Sequence, residues 1–204
     1  MTHAEQAALG GAAEIVRRHA DARSDWVRLA AALAEPGLVA AVDSAGAAVM
    51  AAVGGGHTVM VAGNGGSAAM SSHVAAEFAG RCVRDRDPLP ALSLAESSTS
   101  LTAIGNDYGF DQVFARGVRA HGRPGDVLIV MTTSGSSPNI AAALAVARER
   151  GLVTIALTGA RGAQLAGHAD HLLVVPSDYT PRIQEVHLMW THAWCEAVDH
   201  VWAR

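Results

Sequence analysis

The stretch "VMVAGNGGSAAMSSHVAAEFAGR", residues 59–81, combines the features that decide the fold. A short apolar run ends in a glycine-rich turn, and a helical pattern follows the turn directly. An apolar strand followed by a helix in this way is typical of a parallel sheet covered by helices. The same stretch places His73 and Glu77 four residues apart, so both point from one face of the predicted helix.

The alternation of strand and helix continues through the rest of the chain. Short apolar runs predict strands at 58–62, 90–94, 127–131, 153–157 and 171–175. Helical patterns lie at 67–80, 98–105, 110–121, 138–149, 161–167 and 181–203. The pattern predicts an α/β protein with a five-stranded parallel sheet, doubly wound in the flavodoxin-like order and flanked by helices. Ligands are expected at the carboxyl ends of the strands.

The first fifty residues are rich in alanine and have a helical period. They predict helices at about 3–22, 24–34 and 37–53, with Pro36 ending the second and a glycine triplet ending the third. We therefore expect one domain over 1–204, made of a helical segment, 1–53, and an α/β core with a C-terminal helix, 54–204. Residues 44–63 carry no formal charge, but the glycine triplet divides this run, so we expect no membrane partner.

Composition excludes several classes of protein. The 204 residues are 50% hydrophobic, enough for one sizeable core, and the net charge of -4 without a basic block argues against nucleic acid as a partner. All 15 cationic side chains are arginine, which excludes Schiff-base, pyridoxal-phosphate and P-loop chemistry because each requires lysine. Cys82 and Cys195 form no Cys-x-x-Cys pair, and the N-terminus lacks a signal-peptide profile, so we expect a reduced, cytoplasmic protein.

The glycine loop "AGNGGSAA", 62–69, is the first candidate ligand site. Gly63-x-Gly65-x-x-Ala68 formally matches the dinucleotide fingerprint. That interpretation needs an acidic residue about twenty positions further on, whereas the next predicted strand ends near Glu96, so no nucleotide cofactor is expected. The remaining alternative to a ligand site is a plain tight turn with Ser67 as the helix N-cap.

The phosphate loop "TTSGSSPN", 132–139, follows a strong strand and places Pro138 at the first helical position. Hydroxyl groups, exposed N–H groups and the positive end of a helix dipole together form a phosphate cradle without lysine. The alternative is that one serine caps the helix and the other residues are merely small.

A second group of polar residues lies near the C-terminus, in "RIQEVHLMWTH", 182–192. Gln184 and His192 are two helical turns apart and share a face, whereas His187 is rotated away from it. Together with His73 and Glu77, these groups suit acid–base chemistry on a hydroxy-carbonyl compound or a divalent metal with mixed nitrogen and oxygen ligands.

The motifs "GNGGSA", "AAEFAGR", "LTAIGNDYGF", "GRPGDVLIVMTTSGSSPNI", "TIALTG" and "RIQEVHLMWTH" occur in this order, and from about residue 37 onward the chain resembles the phosphoheptose isomerase family of the SIS (sugar isomerase) fold. The resemblance implies conversion of sedoheptulose 7-phosphate to D-glycero-D-manno-heptose 7-phosphate through an enediolate. It also implies a homotetramer with active sites between subunits, in which the N-terminal helices serve oligomerisation.

The resemblance also implies roles for individual residues. Glu77 and His192 match the acid–base pair. A zinc site, one ion per subunit, matches His73, Glu77, Gln184 and His192. The substrate-binding positions are Asn64, Gly65, Gly66, Ser67, Glu77, Arg81, Asn106, Asp107, Thr132, Thr133, Ser134, Ser137 and Gln184.

Two other functions stay open at this point. A non-catalytic SIS protein, of the kind that associates with a replication initiator, uses the fold as a binding platform. Such a protein has no need of Glu77 and His192, and this chain retains both. An isomerase of a different sugar phosphate is the other alternative, because Met70-Ser71-Ser72 and Pro181 depart from the family pattern beside the site.

Overall fold

The structure, a computed structural model, describes residues 3–203, so residues 1, 2 and 204 of the predicted domain lie outside the described residues. The helices are α1 His3–Leu33, α2 Pro36–Gly54, α3 Gly66–Ala79, α4 Ser98–Tyr108, α5 Val113–His121, α6 Pro138–Glu149 and α7 Thr180–Trp202. The strands are β1 Val59–Gly63, β2 Ala91–Ser93, β3 Val127–Thr132, β4 Val153–Gly159 and β5 His171–Val175. Short 3-10 helices occupy Phe110–Gln112 and Ala160–Leu165.

The five strands form one parallel sheet in the order β2-β1-β3-β4-β5, which confirms the predicted flavodoxin-like arrangement. Val59 of β1 pairs with Ala91 of β2 on one side and with Val127 of β3 on the other. The chain order reverses between β1 and β3, and an open α/β sheet binds its ligands at such a switch point. Both candidate loops follow these two strands, so the fold places them side by side.

Helices cover both faces of the sheet because successive residues of a strand point to opposite sides. Val61 and Ile129 belong to a core with α2, α3 and α7, and Met60 and Leu128 belong to a second core with α5 and α6. All residues of β1 and β3 are buried. This two-sided burial explains why the strands are continuous apolar runs.

The prediction of two helices before Pro36 was wrong, since α1 runs without a break from His3 to Leu33. No glycine or proline stands between residues 12 and 35 to end a helix there. Ion pairs one turn apart stabilise the helix: Arg18 Nε lies 2.8 Å from Glu14 Oε1 and Arg17 Nη1 lies 3.1 Å from Asp21 Oδ2. The predicted break was placed where the chain has no residue that favours one.

Three other boundaries differ from the sequence prediction. Helix α4 continues to Tyr108, and Gly109, with φ of 87°, then ends it. The helix predicted over 110–121 is divided into a 3-10 turn and α5. The short helix predicted over 161–167 is the 3-10 helix Ala160–Leu165. Each difference lies where a glycine or a tight turn competes with regular helical geometry.

Helix α2 is long and apolar enough to cross a membrane by length and composition, with a mean hydropathy of 1.6 and 28% of that stretch buried. A single helix of this kind is weak evidence for a span, because core helices of soluble proteins pass the same test. Its buried face, which includes Val49 and Val53, packs on β5 and α7. The remaining apolar surface of α2 faces outward.

Candidate active site

Helices α3 and α7 bring together three side chains that could hold a metal ion or exchange protons. The ligand atoms of His73, Glu77 and His192 all lie within 4.8 Å of one another. His73 Nε2 is 2.9 Å from His192 Nε2 and 3.6 Å from Glu77 Oε1. The one-turn spacing on α3 places the first two side chains on one face, as predicted, and α7 supplies the third from 119 positions away. We call this group the His–Glu–His cluster.

Of the two α3 members of the His–Glu–His cluster, Glu77 is the less exposed. Its side chain is 17% exposed, against 46% for His73. Glu77 Oε2 is buried and makes no hydrogen bond to any of the described residues. An unpaired buried carboxylate oxygen needs a proton, a substrate group or a metal as its partner.

A buried ion pair fixes the end of the helix that carries Glu77. Arg86 and Asp199 have fully buried side chains, with Arg86 Nε 2.8 Å from Asp199 Oδ1. Arg86 also donates to the backbone carbonyls of Glu77 at 2.7 Å and Phe78 at 2.8 Å. These bonds satisfy carbonyl groups that the end of a helix leaves without partners.

Asp199 also orders the segment that follows α3. One of its oxygens accepts hydrogen bonds from the backbone N–H groups of Cys82, Val83 and Arg84. Burial alone would raise the pKa of Asp199, but these N–H donors and the Arg86 guanidinium together hold it below its usual value. No local sequence pattern indicates this pair, because its members are 113 positions apart.

The glycine loop is tight, with its backbone close to neighbouring groups. A Cβ atom at Gly63 would lie 2.6 Å from Ser67 Cβ, and Gly65 has a φ of 55°. A Cβ at Gly66 would lie 2.7 Å from Gln184 Nε2, so α7 holds the Gln184 amide directly over the loop. The clash with the Ser67 backbone at Gly63 and the positive φ at Gly65 favour glycine at these two positions, and the loop therefore exposes bare backbone.

Ser67 does not cap α3, so the plain-turn interpretation was wrong on this point. The N-cap is Gly65, without a side-chain hydrogen bond, and Ser67 is 3% exposed inside the first turn. Its burial follows from its contact with Gly63. The predicted substrate-binding role of Ser67 stays a prediction.

The phosphate loop keeps several polar groups available. Ser137 is the N-cap of α6, but its side chain makes no capping hydrogen bond, so the interpretation of the loop as a capped helix with small residues fails there. Thr132, which ends β3, is buried and accepts from the Gly135 N–H at 3.2 Å. Ser134 accepts from Ser136, from its N–H at 3.3 Å and its hydroxyl at 3.1 Å. Thr133 is half-buried between them.

Three predicted site residues lie apart from the His–Glu–His cluster. Asn106 and Asp107 are exposed in the last turn of α4, where Asn106 Nδ2 donates to Asp107 Oδ1 at 2.8 Å. Arg81 is exposed in the segment after α3. No hydrogen bond or ion pair between described residues joins these three side chains to the cluster.

Two buried polar residues were missed from the sequence. Asn139, in the first turn of α6, is 1% exposed and exchanges hydrogen bonds with Asn64. His187 is fully buried beside Trp190, and among the described residues neither ring nitrogen has a hydrogen-bond partner. Burial lowers the pKa of His187 to about 4. The only indication in the sequence was the position of His187 on the predicted helix, which is rotated away from the face shared by Gln184 and His192.

The fold and the site together define a class of α/β protein with two candidate ligand loops at the carboxyl ends of neighbouring strands. Residues 27–159 match the SIS domain family, to which the chain therefore belongs. Relatives place it more narrowly, in the phosphoheptose isomerase family. Both assignments agree with the resemblance found in the motifs.

The relatives are bacterial. The chain is 50% identical to the phosphoheptose isomerase of Nitratidesulfovibrio vulgaris over 134 residues, 66% of this chain and 64% of that protein. It is 48% identical to that of Bradyrhizobium sp. strain ORS 278 over 162 residues, 79% of this chain and 82% of that protein. The solved phosphoheptose isomerase of Neisseria gonorrhoeae has a TM-score of 0.84 at 39% identity, over 91% of this chain and 99% of that one.

Proposed function

We propose that the protein is an aldose–ketose isomerase that converts sedoheptulose 7-phosphate to D-glycero-D-manno-heptose 7-phosphate. One observation carries the proposal: a half-buried carboxylate, Glu77, and an imidazole, His192, lie in one cluster on α3 and α7, and the same two helices meet at the glycine loop, where Gln184 lies over Gly66. Relatives that are about half identical are named phosphoheptose isomerases, which supports the choice of substrate.

Substrate binding is divided between the two loops. The phosphate loop and the N-terminus of α6 bind the phosphate, with Ser134, Ser137 and Thr133 as hydroxyl donors. The exposed backbone of Gly65 and Gly66 binds sugar hydroxyls. Gln184, whose amide lies over Gly66, fixes the orientation of the sugar between them.

The reaction moves one proton between neighbouring carbons. Glu77 removes a proton from the carbon next to the carbonyl group, which gives a cis-enediolate. His192, on the other helix, donates a proton to the carbonyl oxygen as negative charge develops there. Glu77 returns its proton to the former carbonyl carbon, and the hydroxyl of the neighbouring carbon gives a proton back to His192 as it becomes the aldehyde, so no redox cofactor or nucleotide enters the balance.

The His–Glu–His cluster also suits zinc. Two imidazole nitrogens and a carboxylate oxygen are ligands that zinc prefers, and the unpaired Glu77 Oε2 offers a further ligand atom. His73, Glu77 and His192 would hold the ion, with Gln184 as the fourth ligand. A bound zinc ion would act as a Lewis acid for the oxyanion of the intermediate.

The proposal includes a cytoplasmic homotetramer of single-domain subunits with active sites between them, and exposed apolar surface supports the assembly. Ile15, Val16 and Val27 of α1 are 72%, 70% and 75% exposed. A cleft of about 290 Å³ between α2 and α7 is lined by Gly46 and Trp194 among other apolar residues. A closed symmetric assembly covers such surface with further copies of the chain.

Purified protein incubated with a panel of ketose phosphates tests the proposed activity. We expect an aldose product from sedoheptulose 7-phosphate and slower turnover of shorter ketose phosphates. Turnover of a different ketose phosphate in preference would correct the substrate. Binding of sugar phosphates without any aldose product would instead favour the binding platform.

A further inference from the structure

Two asparagine side chains join the loops on either side of the switch point. Asn64 Nδ2 donates to Asn139 Oδ1 at 3.0 Å, and Asn139 Nδ2 donates to Asn64 Oδ1 at 2.8 Å. Because the bonds are reciprocal, turning either amide over would break both of them. Asn139 is 1% exposed, so water cannot easily replace the lost partner.

Each asparagine is also fixed to the start of a helix. The Asn64 carbonyl accepts from the Ser67 N–H at 3.0 Å, in the first turn of α3. Asn139 lies in the first turn of α6, directly after Pro138. The pair therefore connects the helix that carries His73 and Glu77 to the helix whose N-terminus follows the phosphate loop.

We propose that Asn139 is a positioning residue that couples the phosphate loop to the glycine loop through Asn64. A sugar phosphate has a fixed length between its phosphate and its reacting carbons, so the spacing of the two loops decides where those carbons lie relative to Glu77. The kinetic consequence of this coupling rests on the proposed function, whereas the coupling of the two loops itself does not depend on that function.

The rival role for Asn64 is that of an independent sugar ligand. Within the pair, each Asn64 amide atom already has one partner, which leaves one hydrogen and one lone pair. If Asn64 were an independent ligand, its substitution would lower the activity by the same factor with or without Asn139. If the two asparagines act as a coupled pair, substitution of either one removes the whole contribution of the pair to the activity, and substitution of the second removes nothing more.

Replacement of each asparagine by leucine tests the coupling kinetically, since leucine has a similar size and makes no hydrogen bonds. For Asn139→Leu we expect kcat to fall about 10- to 100-fold through misplacement of the reacting carbons. The KM and the Kd for inorganic phosphate should change by less than about threefold, because the phosphate ligands remain. Asn64→Leu should have a similar effect, and the double variant should be no worse than either single variant. An unchanged kcat in Asn139→Leu, or single effects that multiply in the double variant, would overturn the proposal.

Hydrogen exchange with inorganic phosphate gives a readout that needs no activity. Saturating phosphate should slow amide exchange in 63–67 as well as in 134–140 of the wild-type protein. In Asn139→Leu the slowing should be confined to 134–140. Equal slowing of 63–67 in both proteins, or none in the wild type, would contradict the coupling. If the wild-type protein shows the coupled exchange but isomerises no ketose phosphate, the proposed function fails and the coupling stands.

Thr154→Val is the matched control for loss of stability. Thr154 is buried at the amino end of β4, away from the loops, and its hydroxyl donates to Asp170 Oδ2 at 2.7 Å. The variant should lower the free energy of unfolding and leave kcat and the phosphate-dependent exchange unchanged. If kcat fell as much in Thr154→Val as in Asn139→Leu, the effect of Asn139 would be explained by a general loss of stability.

Discussion

At the scale of single residues, the two oxygens of Glu77 have different surroundings. Oε1 lies 3.6 Å from His73 Nε2, whereas Oε2 is buried without a hydrogen bond to a described residue. The carboxylate therefore has one oxygen beside a proposed zinc ligand and one oxygen without a described partner. A substitution that keeps the shape of the side chain can separate the acid–base role from the metal role.

Glu77→Gln keeps the shape of the side chain but cannot accept a proton. We expect kcat to fall by roughly 10²–10⁴, without recovery in excess zinc. His73→Ala, which removes only a proposed ligand, should recover much of its activity when zinc is added. Initial rates measured over a zinc titration check both variants. Near-normal turnover of Glu77→Gln in excess zinc would show that its main role is metal binding.

His187 predicts how stability depends on pH. Its folded-state pKa is lowered from 6.5 to about 4 by burial, so the unfolded chain binds the proton more readily. Its stabilising contribution is complete above pH 6.5 and is lost as the pH falls toward 4, by up to about 3 kcal/mol. In urea unfolding at several pH values, the free energy of unfolding of His187→Phe should depend less on pH than that of the wild-type protein. The exposed His121→Phe serves as the control, and equal pH dependence in all three proteins would refute the assignment.

At the scale of elements, the phosphate loop combines the end of β3 with the start of α6. Ser137 is the N-cap without a capping bond from its side chain, and Pro138 follows it. The loop is also close-packed, since a Cβ at Gly135 would lie 2.3 Å from Gly162 Cα. The backbone around Gly135 is therefore held in place before a ligand binds.

Removal of a hydroxyl from the phosphate loop should weaken substrate binding more than turnover. Ser137→Ala and Ser134→Ala should each lose about 1–2 kcal/mol of binding, seen mainly as a higher KM. Ser136→Ala is the control, because Ser136 is exposed and donates its hydroxyl hydrogen to Ser134. Steady-state kinetics with the sugar phosphate measure all three. An equal rise in KM for Ser136→Ala would mean that binding depends on the phosphate loop as a unit and not on the individual hydroxyls of Ser134 and Ser137.

Elements that carry a periodic signal were predictable from the sequence, and contacts between distant elements were not. The continuous apolar strands predicted the sheet order, and one-turn spacing predicted that His73 and Glu77 meet. The break predicted in α1 was wrong because side-chain ion pairs, rather than the apolar pattern, support that helix. Asn139 was missed because its partner, Asn64, lies 75 positions away, and the motif around Asn64 does not indicate which residue its side chain contacts.

At the scale of the whole molecule, α1 extends much of its surface away from the core. Most of its described side chains between residues 11 and 28 are exposed, and the helix is joined to α7 near its C-terminal half. Trp26 Nε1 donates to Glu185 Oε2 at 2.6 Å, and Arg182 donates to the Ala22 carbonyl at 3.2 Å. A helix with one attached end and apolar exposed residues is suited to contact between subunits.

Light scattering should give a particle about four times the 21.0 kDa of one chain. Introducing charge with Ile15→Glu and Val16→Glu together should shift the particle toward smaller species, because both side chains would be buried between subunits. Arg119→Glu, on the exposed side of α5, should leave the mass unchanged. A wild-type monomer at micromolar concentration would contradict the assembly.

The buried pair of Arg86 and Asp199 also sets an order of events during synthesis. Asp199 is the 113th residue that a ribosome adds after Arg86. Until then the guanidinium lacks the Asp199 carboxylate, and the backbone N–H groups of Cys82, Val83 and Arg84 lack their acceptor. Translation at about 5–20 residues per second makes this interval about 6 to 23 seconds long. The contacts that fix the end of α3 therefore cannot form until α7 has been synthesised.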